Sequence, residues 1–192
     1  MMRTDYASDA GMFLVDTVVG LYTLIVMLRF LFGLTGADHL NPISQAVLKL
    51  SNPPLKRLRQ IVPRLPGIDT AAVVLLLILE MCRIAGINLL SGHSPAIVGL
   101  VLLSVGELLK LAIYIIIFSI FIRAMLSWFS GAGYTPVLRL MHTFTEPMLK
   151  TFRRLLPVTG GLDFSPIAVF IVLMVVLKIV VQPLLDFGRA ML

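Results

Sequence analysis

One cysteine, Cys82, stands in the middle of an apolar run without a partner. A disulfide framework and a CxxC site are therefore excluded, and a buried structural thiol is expected. Charge is scarce too: Asp, Glu, Lys and Arg make up 14% of the 192 residues, against about a quarter in a water-soluble domain. The histidines His39, His93 and His142 lack acidic or cysteine neighbours at ligand spacing, so no metal is expected. Ser127 and Ser165 lack a GxSxG elbow, and no glycine-rich loop has the spacing of a P-loop or a dinucleotide fingerprint. Neither an enzyme nor a cofactor is expected from this pattern. The N-terminal stretch Met1–Gly11 sets Arg3 against Asp5 and Asp9, the wrong charge for a signal-peptide n-region, so the first apolar stretch is expected to be a retained span.

What is abundant is apolar: 58% of the residues are hydrophobic and the mean hydropathy is +0.99. That is too much for one soluble core, and lipid is the expected solvent. The ten methionines fit packing or lipid-facing filler rather than a cofactor box. Hydropathy predicts spans at 13–34, 70–90 and 164–185, each close to the ~20 residues that cross ~30 Å of hydrocarbon. A further apolar stretch, 96–129, is too long for one upright crossing. It predicts a crossing at 111–129, with the part before Lys110 tilted or emerging at the surface. The expected fold is all-α: a polytopic membrane protein of four transmembrane helices.

Of the sixteen Lys and Arg residues, five lie in the connector after the first span: Lys49, Lys56, Arg57, Arg59 and Arg64. Four more, Arg139, Lys150, Arg153 and Arg154, lie in the connector after the third. Only Arg3 and Arg189 fall on the other side. This asymmetry predicts cytoplasmic connectors and periplasmic termini. The net charge of +6 then belongs to a membrane surface, with anionic lipid headgroups as the expected partner and nucleic acid disfavoured.

Displacing the sequence on itself by 94 residues aligns Arg29 with Arg123, Pro42 with Pro136, Pro53 with Pro147, Leu55 with Leu149, Lys56 with Lys150 and Arg59 with Arg153. The same offset aligns Pro63 with Pro157, Gly67 with Gly161 and Asp69 with Asp163. Apolar bias does not produce proline and glycine pairs, so the chain reads as two repeats, 1–94 and 95–192. Each repeat has two spans, so the second starts on the same side as the first. Parallel repeats related by a pseudo-twofold axis along the membrane normal are expected.

Within the connectors, Ile43, Ala46, Val47 and Leu50, then Leu55, Leu58, Ile61 and Val62, form apolar stripes. Val137, Leu140, Met141 and Phe144, then Leu149, Phe152, Leu155 and Leu156, repeat them. This spacing predicts interfacial amphipathic helices with the basic side toward headgroups, a surface helix packed on a soluble partner being the alternative. Pro53 and Pro147 predict a break, giving two short helices per connector. Asp69 and Asp163 are expected at the starts of the second and fourth spans, Asp163 together with Ser165 and Pro166. Each is also expected to pair with an arginine snorkelling from the preceding span, Arg29 with Asp69 and Arg123 with Asp163.

Three charges lie too deep to escape the bilayer: Glu80, Arg83 and Lys178. The pseudo-twofold would bring Lys178 beside Glu80, locking the repeats together or lining a polar path whose outer mouth holds Asp16, Glu107 and Lys110.

The second repeat carries Leu126-Ser127-Trp128, Thr145-Glu146-Pro147, Arg153-Arg154-Leu155-Leu156-Pro157 and Gly161-Leu162-Asp163-Phe164-Ser165-Pro166. Together these resemble the YggT family, and the resemblance covers both repeats. The first repeat departs from it, with Phe32-Gly33-Leu34 and Ile68-Asp69-Thr70-Ala71-Ala72 at the corresponding places. The resemblance implies a small multi-pass protein of the bacterial inner membrane, in a family linked to osmotic-shock resistance and potassium handling, with Gram-positive relatives associated with cell division and plastid relatives with nucleoid placement and cytochrome b assembly. A membrane organiser or assembly factor, binding lipid or a protein partner in the membrane, is the expectation; ion or proton transport through the buried charges is the alternative.

Overall fold

The computed structural model describes residues 6–63, 65–128, 135–155 and 163–192, without the side chains of 127, 128 and 155. Arg3, Arg64, the tryptophan motif at 127–128, the end of the stripe at Leu155 and Leu156, and most of the turn from Pro157 to Asp163 thus lie outside the described residues or side chains. The elements are α1 (Tyr6–Thr35), α2 (Pro42–Leu58), α3 (Thr70–Leu90), α4 (Ile97–Trp128), α5 (Pro136–Leu155), α6 (Ser165–Val176), a π-helical turn (Leu177–Val181) and α7 (Gln182–Ala190). Tyr6–Thr35, Thr70–Leu90, Ile97–Leu126 and Ser165–Ala190 are long and apolar enough to cross a bilayer. The protein is an all-α, polytopic membrane protein.

Local chemistry sets the helix ends. Gly36 takes φ +64° and lets the Ala37 amide return to the Phe32 carbonyl at 3.0 Å, closing α1 with a left-handed cap. Asn41 then caps α2 through its side chain, with Pro42 in the first turn, where a missing amide hydrogen costs nothing.

Of the stretch 96–129, expected to cross at 111–129 with its earlier part tilted or at the surface, residues 97–128 form a single element. Ile97–Trp128 is one uninterrupted helix, ~48 Å long at 1.5 Å per residue, and its first half is packed against α7. A Cβ built on Gly99 would lie 2.7 Å from the Met191 backbone, and one on Gly188 would lie 2.8 Å from the Leu103 amide nitrogen. Small residues allow this backbone approach, which in lipid supplies the packing that a hydrophobic drive cannot. The fourth run widens into its π turn just ahead of Pro183, whose ring cannot donate to the carbonyl four residues back.

The helices form an open row, with α1 on α3, α3 on α4, and α4 on the α6–α7 run. Among the described residues α1 and α3 make no backbone approach to the fourth run. A closed pseudo-twofold ring, which would pair the fourth run with α1, is therefore not formed, because α4 lies between the two. The repeats do run in parallel. Ser8 at the start of α1 meets Leu90 at the end of α3, as Gly99 meets Met191, and both connectors lie at the opposite end.

The expected breaks at Pro53 and Pro147 do not occur: each proline lies inside a single continuous helix, α2 or α5. The carbonyl of Leu50, which Pro54 cannot serve, receives the Tyr22 hydroxyl at 3.4 Å. Long-range contacts thus hold a helix that propensity alone would end. The buried face of α2 is also turned from the expected stripe. Ser44, Val47, Ser51 and Leu55 are buried while Ile43 and Leu50 are exposed. In α5 Leu140, Met141, Phe144 and Leu149 of the expected stripe are buried, while Val137 is exposed. Phe144 meets Phe32 of the first repeat edge-on, with ring centroids 5.3 Å apart, in a core beneath both connectors. Cys82 is exposed on α3, contrary to the buried thiol expected from its apolar neighbours; on an apolar span such a surface suits lipid as well as a core.

Candidate functional site

Two charged assemblies are built into this scaffold. The first pins each connector to its repeat. Arg29, 8% exposed, donates through Nη1 to Ser51 Oγ at 3.0 Å, to Asn52 Oδ1 at 2.7 Å and to the Leu48 carbonyl at 3.3 Å. Arg123, 9% exposed, donates to Thr145 Oγ1 at 2.9 Å and to Glu146 Oε2 at 2.8 Å. Ser51 and Thr145, like Asn52 and Glu146, are 94 residues apart, so the repeat offset carries both contacts over. The hydroxyls can face inward because each also donates to its own helix, Ser51 to the Val47 carbonyl at 2.6 Å and Thr145 to the Met141 carbonyl at 2.7 Å.

The expected pairing of Arg29 with Asp69 and of Arg123 with Asp163 is corrected by these contacts. Asp69 pairs with Arg59, and Asp163 with Arg153 at 2.7 Å. The arginines at the end of each connector reach the aspartates first, because they sit at the turn itself. Asp69 occupies the N-cap position of α3 without a side-chain capping bond, whereas Asp163 Oδ1 accepts the Ser165 amide at 2.9 Å. Burial pulls the Asp163 pKa upward, but hydrogen bonding from Ser165 and the Arg153 guanidinium outweigh it and hold the carboxyl below its ordinary value.

The basic residues singled out in the connectors divide into two sets. Arg59, Arg139 and Arg153 are tied internally, Arg139 to Asp38 of the other repeat at 2.9 Å and Arg153 also to Glu146 at 2.8 Å. Lys49, Lys56, Arg57, Lys150 and Arg154 are exposed and make no ion pair among the described residues. The connectors also touch each other, Asn41 Nδ2 donating to the Pro136 carbonyl at 2.6 Å. They thus form one basic surface at one end of the molecule. Sequence reading missed Asp38, Asn52 and Glu146; the repeat alignment, which sets Asn52 against Glu146, was the available signal for two of them.

The second assembly lies among the spans. Glu80 is 3% exposed and accepts from Arg83 Nε through Oε1 at 3.1 Å and Oε2 at 3.3 Å. Arg83 also pairs with Asp16 of α1, so the partner that crosses between helices is Asp16. Lys178 does not join them: it is exposed in the π turn, on a run that the open row keeps away from α3. Glu107 and Lys110 of α4 pair at 3.0 Å, and Glu107 lies 3.7 Å from Arg189. A cavity of about 190 Å³ separates the two groups, lined by Thr23, Glu80, Arg83, Glu107, Lys110 and Tyr114 among others. The Thr23 hydroxyl is buried without a partner among the described residues. Arg189 also pairs with Asp186 at 3.4 Å, so the groups connected here are four acids, Asp16, Glu80, Glu107 and Asp186, and three bases, Arg83, Lys110 and Arg189.

The sequence profile of the CCB3/YggT family matches residues 8–90 and again residues 102–184. The chain belongs to the CCB3/YggT family. The tandem matches coincide with the two units whose arginine–connector contacts repeat. An uncharacterized protein of Pseudomonas aeruginosa is 36% identical over 179 residues, 92% of this chain and 91% of the relative. The uncharacterized protein YggT of Escherichia coli is 32% identical over 182 residues, 94% of each chain. The uncharacterized protein ycf19 of Guillardia theta is 38% identical over 71 residues, 36% of this chain and 76% of the relative. No solved structure matches the chain at a significant level.

Proposed function

We propose that this protein is a non-enzymatic membrane organiser or assembly factor whose connectors gather anionic lipid, or a partner protein in the membrane, at the cytoplasmic face of the bacterial inner membrane. One observation carries the reading. Lys49, Lys56, Arg57, Lys150 and Arg154 are exposed on one end of the molecule, on helices that Arg29 and Arg123 hold in fixed positions. Each well-placed cation near an anionic surface contributes roughly 1 kcal/mol before screening, and a rigid array avoids the ordering cost that a flexible tail incurs on binding. The excess of basic residues in the connectors supports an orientation with periplasmic termini; an active alkaline phosphatase fused to the C-terminus is the expected outcome. A role in osmotic-stress tolerance, expected from the resemblance, would suit such a scaffold.

The test uses whole protein in bilayers of phosphatidylcholine with a few per cent spin-labelled phosphatidylglycerol. Enrichment of the anionic lipid around the protein should fall as salt rises and should fall again when Lys56, Arg57, Lys150 and Arg154 are all changed to Gln. Equal enrichment in the two proteins overturns the electrostatic reading.

A second reading rests on the 190 Å³ cavity beside Glu80: a polar path for a proton or potassium ion, with Glu80 as its titratable member. Flux into liposomes from the wild type, absent in Glu80→Gln, would support it.

A further inference from the structure

The two repeats use the same arginines but not the same number of carboxylates. In the second, Arg123 and Arg153 share Glu146, each at 2.8 Å from one of its oxygens, and Arg153 also binds Asp163. Two guanidinium charges thus face two carboxylates. In the first, Arg29 and Arg59 hold the equivalent places, Asp69 binds Arg59, and the position of Glu146 is taken by Asn52. Asn52 can accept one hydrogen bond from Arg29 but brings no charge. Arg29 spends only Nη1 on the connector; its Nε and Nη2 make no hydrogen bond among the described residues.

Beside the two guanidinium groups of that set there is space. A cavity of about 460 Å³ is lined by Arg29, Arg59, Asp69, His39 and Ser44 among others. Its volume equals about fifteen waters at ~30 Å³ each, ample for a phosphate and the polar group attached to it. The Ser44 side-chain oxygen is buried with no hydrogen-bond partner among the described residues. Such an atom is destabilising unless a partner in the cavity satisfies it. Leu34, Leu65 and Ile68 also contribute to the lining and are exposed, an apolar edge on the side of the connector.

We infer that the first repeat holds a phosphate-bearing anion in this cavity, and that the anion replaces the carboxylate which Glu146 supplies in the second. Arg29 and Arg59 bind its oxygens, with the planar fork of donors that suits phosphate, and Ser44 gives it a hydroxyl. The source is the headgroup of an anionic phospholipid, whose glycerol and first methylenes rest on the apolar edge. The inference deepens the lipid reading of the connectors by adding one saturable site to a diffuse basic surface, and it depends on that reading only for the lipid's approach.

Intact protein in a neutral detergent, offered phosphatidylglycerol, phosphatidylcholine or inorganic phosphate, is examined by native mass spectrometry and thermal melting. One phosphatidylglycerol should remain bound per chain, and phosphatidylcholine should not. Asn52→Glu, which restores the carboxylate of the second repeat, should weaken retention at least tenfold while melting no lower than the lipid-free wild type. If inorganic phosphate raises the melting temperature of the wild type but not of Asn52→Glu, and no lipid is retained, the anion site stands and the lipid headgroup is overturned as its source. Equal retention by wild type and Asn52→Glu, with no response to phosphate in either, overturns the site. The four-residue Gln variant of the exposed connector separates this from the broader reading: it should keep the one tight lipid and lose only the diffuse enrichment.

Discussion

Arg123 donates from α4 to Glu146 on α5 at 2.8 Å, and the other oxygen of that carboxylate accepts from Arg153 at the same distance. One side chain therefore ties the span, the connector and, through Asp163, the start of α6. In a double-mutant cycle of Arg123→Gln and Glu146→Gln the two changes should be coupled by ~1 kcal/mol: more than a surface pair because Arg123 is buried, less than a buried one because Glu146 is 42% exposed. Additive losses of melting stability in detergent would show that the pair is not a unit. The parallel cycle of Arg123→Gln with Asp163→Asn should be the weaker of the two.

The approach of α4 to α7 gives a second prediction. Ala at Gly188 puts a methyl group 2.8 Å from the Leu103 backbone nitrogen, which no side-chain rotation relieves. Gly188→Ala should cost ~1–3 kcal/mol, the usual range for overpacking. Gly33→Ala, whose Cβ meets nothing within 4 Å in a helix, should be neutral or stabilising by up to ~1 kcal/mol. Melting temperatures of the two variants in one detergent check both, and a Gly188→Ala that melts with the wild type sinks the close-packing account.

The spans were legible because hydropathy over twenty residues survives any tertiary detail: Thr70–Leu90 was read to the residue. The repeat was legible because proline and glycine pairs are not produced by apolar bias. The partners were harder. Asp69 and Asp163 stand where spans begin, so the arginine one span earlier looked like the match, yet Arg59 and Arg153 lie only ten residues from them and close the contact locally. The helix breaks at Pro53 and Pro147 were inferred from propensity, which gave way to Arg29, Tyr22 and Arg123 holding the connectors from the spans. Lys178 was placed beside Glu80 by treating the second and fourth spans as equivalent about the pseudo-twofold; nothing in one sequence says whether a parallel repeat closes into a ring or extends into a row. Asn52 was visible all along as the residue opposite Glu146, but its meaning needs the geometry of Arg29.

Acid should loosen the second connector through Asp163. Its pKa is held below the ordinary carboxylate value when folded, so the folded state binds fewer protons than the unfolded chain. The stabilisation is therefore fully present above the unfolded pKa of ~3.9 and is lost as pH falls through the folded one. Asp163→Asn should lose stability at neutral pH, and the gap between it and the wild type should narrow as the pH drops below about 4. A gap that stays constant from pH 7 to pH 3 would mean that the Arg153–Asp163 contact contributes nothing to stability.

The last prediction concerns Glu80 and decides between a lock and a path. Glu80 is the buried member of a chain that runs from Asp16 on α1 through Arg83 to Glu80 on α3, and it faces the cavity shared with Glu107 and Lys110 of α4. If the chain is a lock, Glu80→Gln leaves Arg83 with only the half-exposed Asp16. The loss should be ~1–3 kcal/mol, below the cost of breaking a fully buried pair because Arg83 retains a partner and some exposure. Any loss of osmotic-stress tolerance should then follow the amount of protein in the membrane. If it is a path, the variant should reach normal abundance and still lose both tolerance and flux into liposomes, since a neutral amide can neither carry a proton nor bind a cation as a carboxylate does. Lys178→Gln is the control, because that side chain is exposed away from the cluster and its removal should leave stability and flux unchanged in either case. Wild-type stability together with wild-type flux in Glu80→Gln rules out both roles and leaves the buried carboxylate as a tolerated charge already neutralised by Arg83.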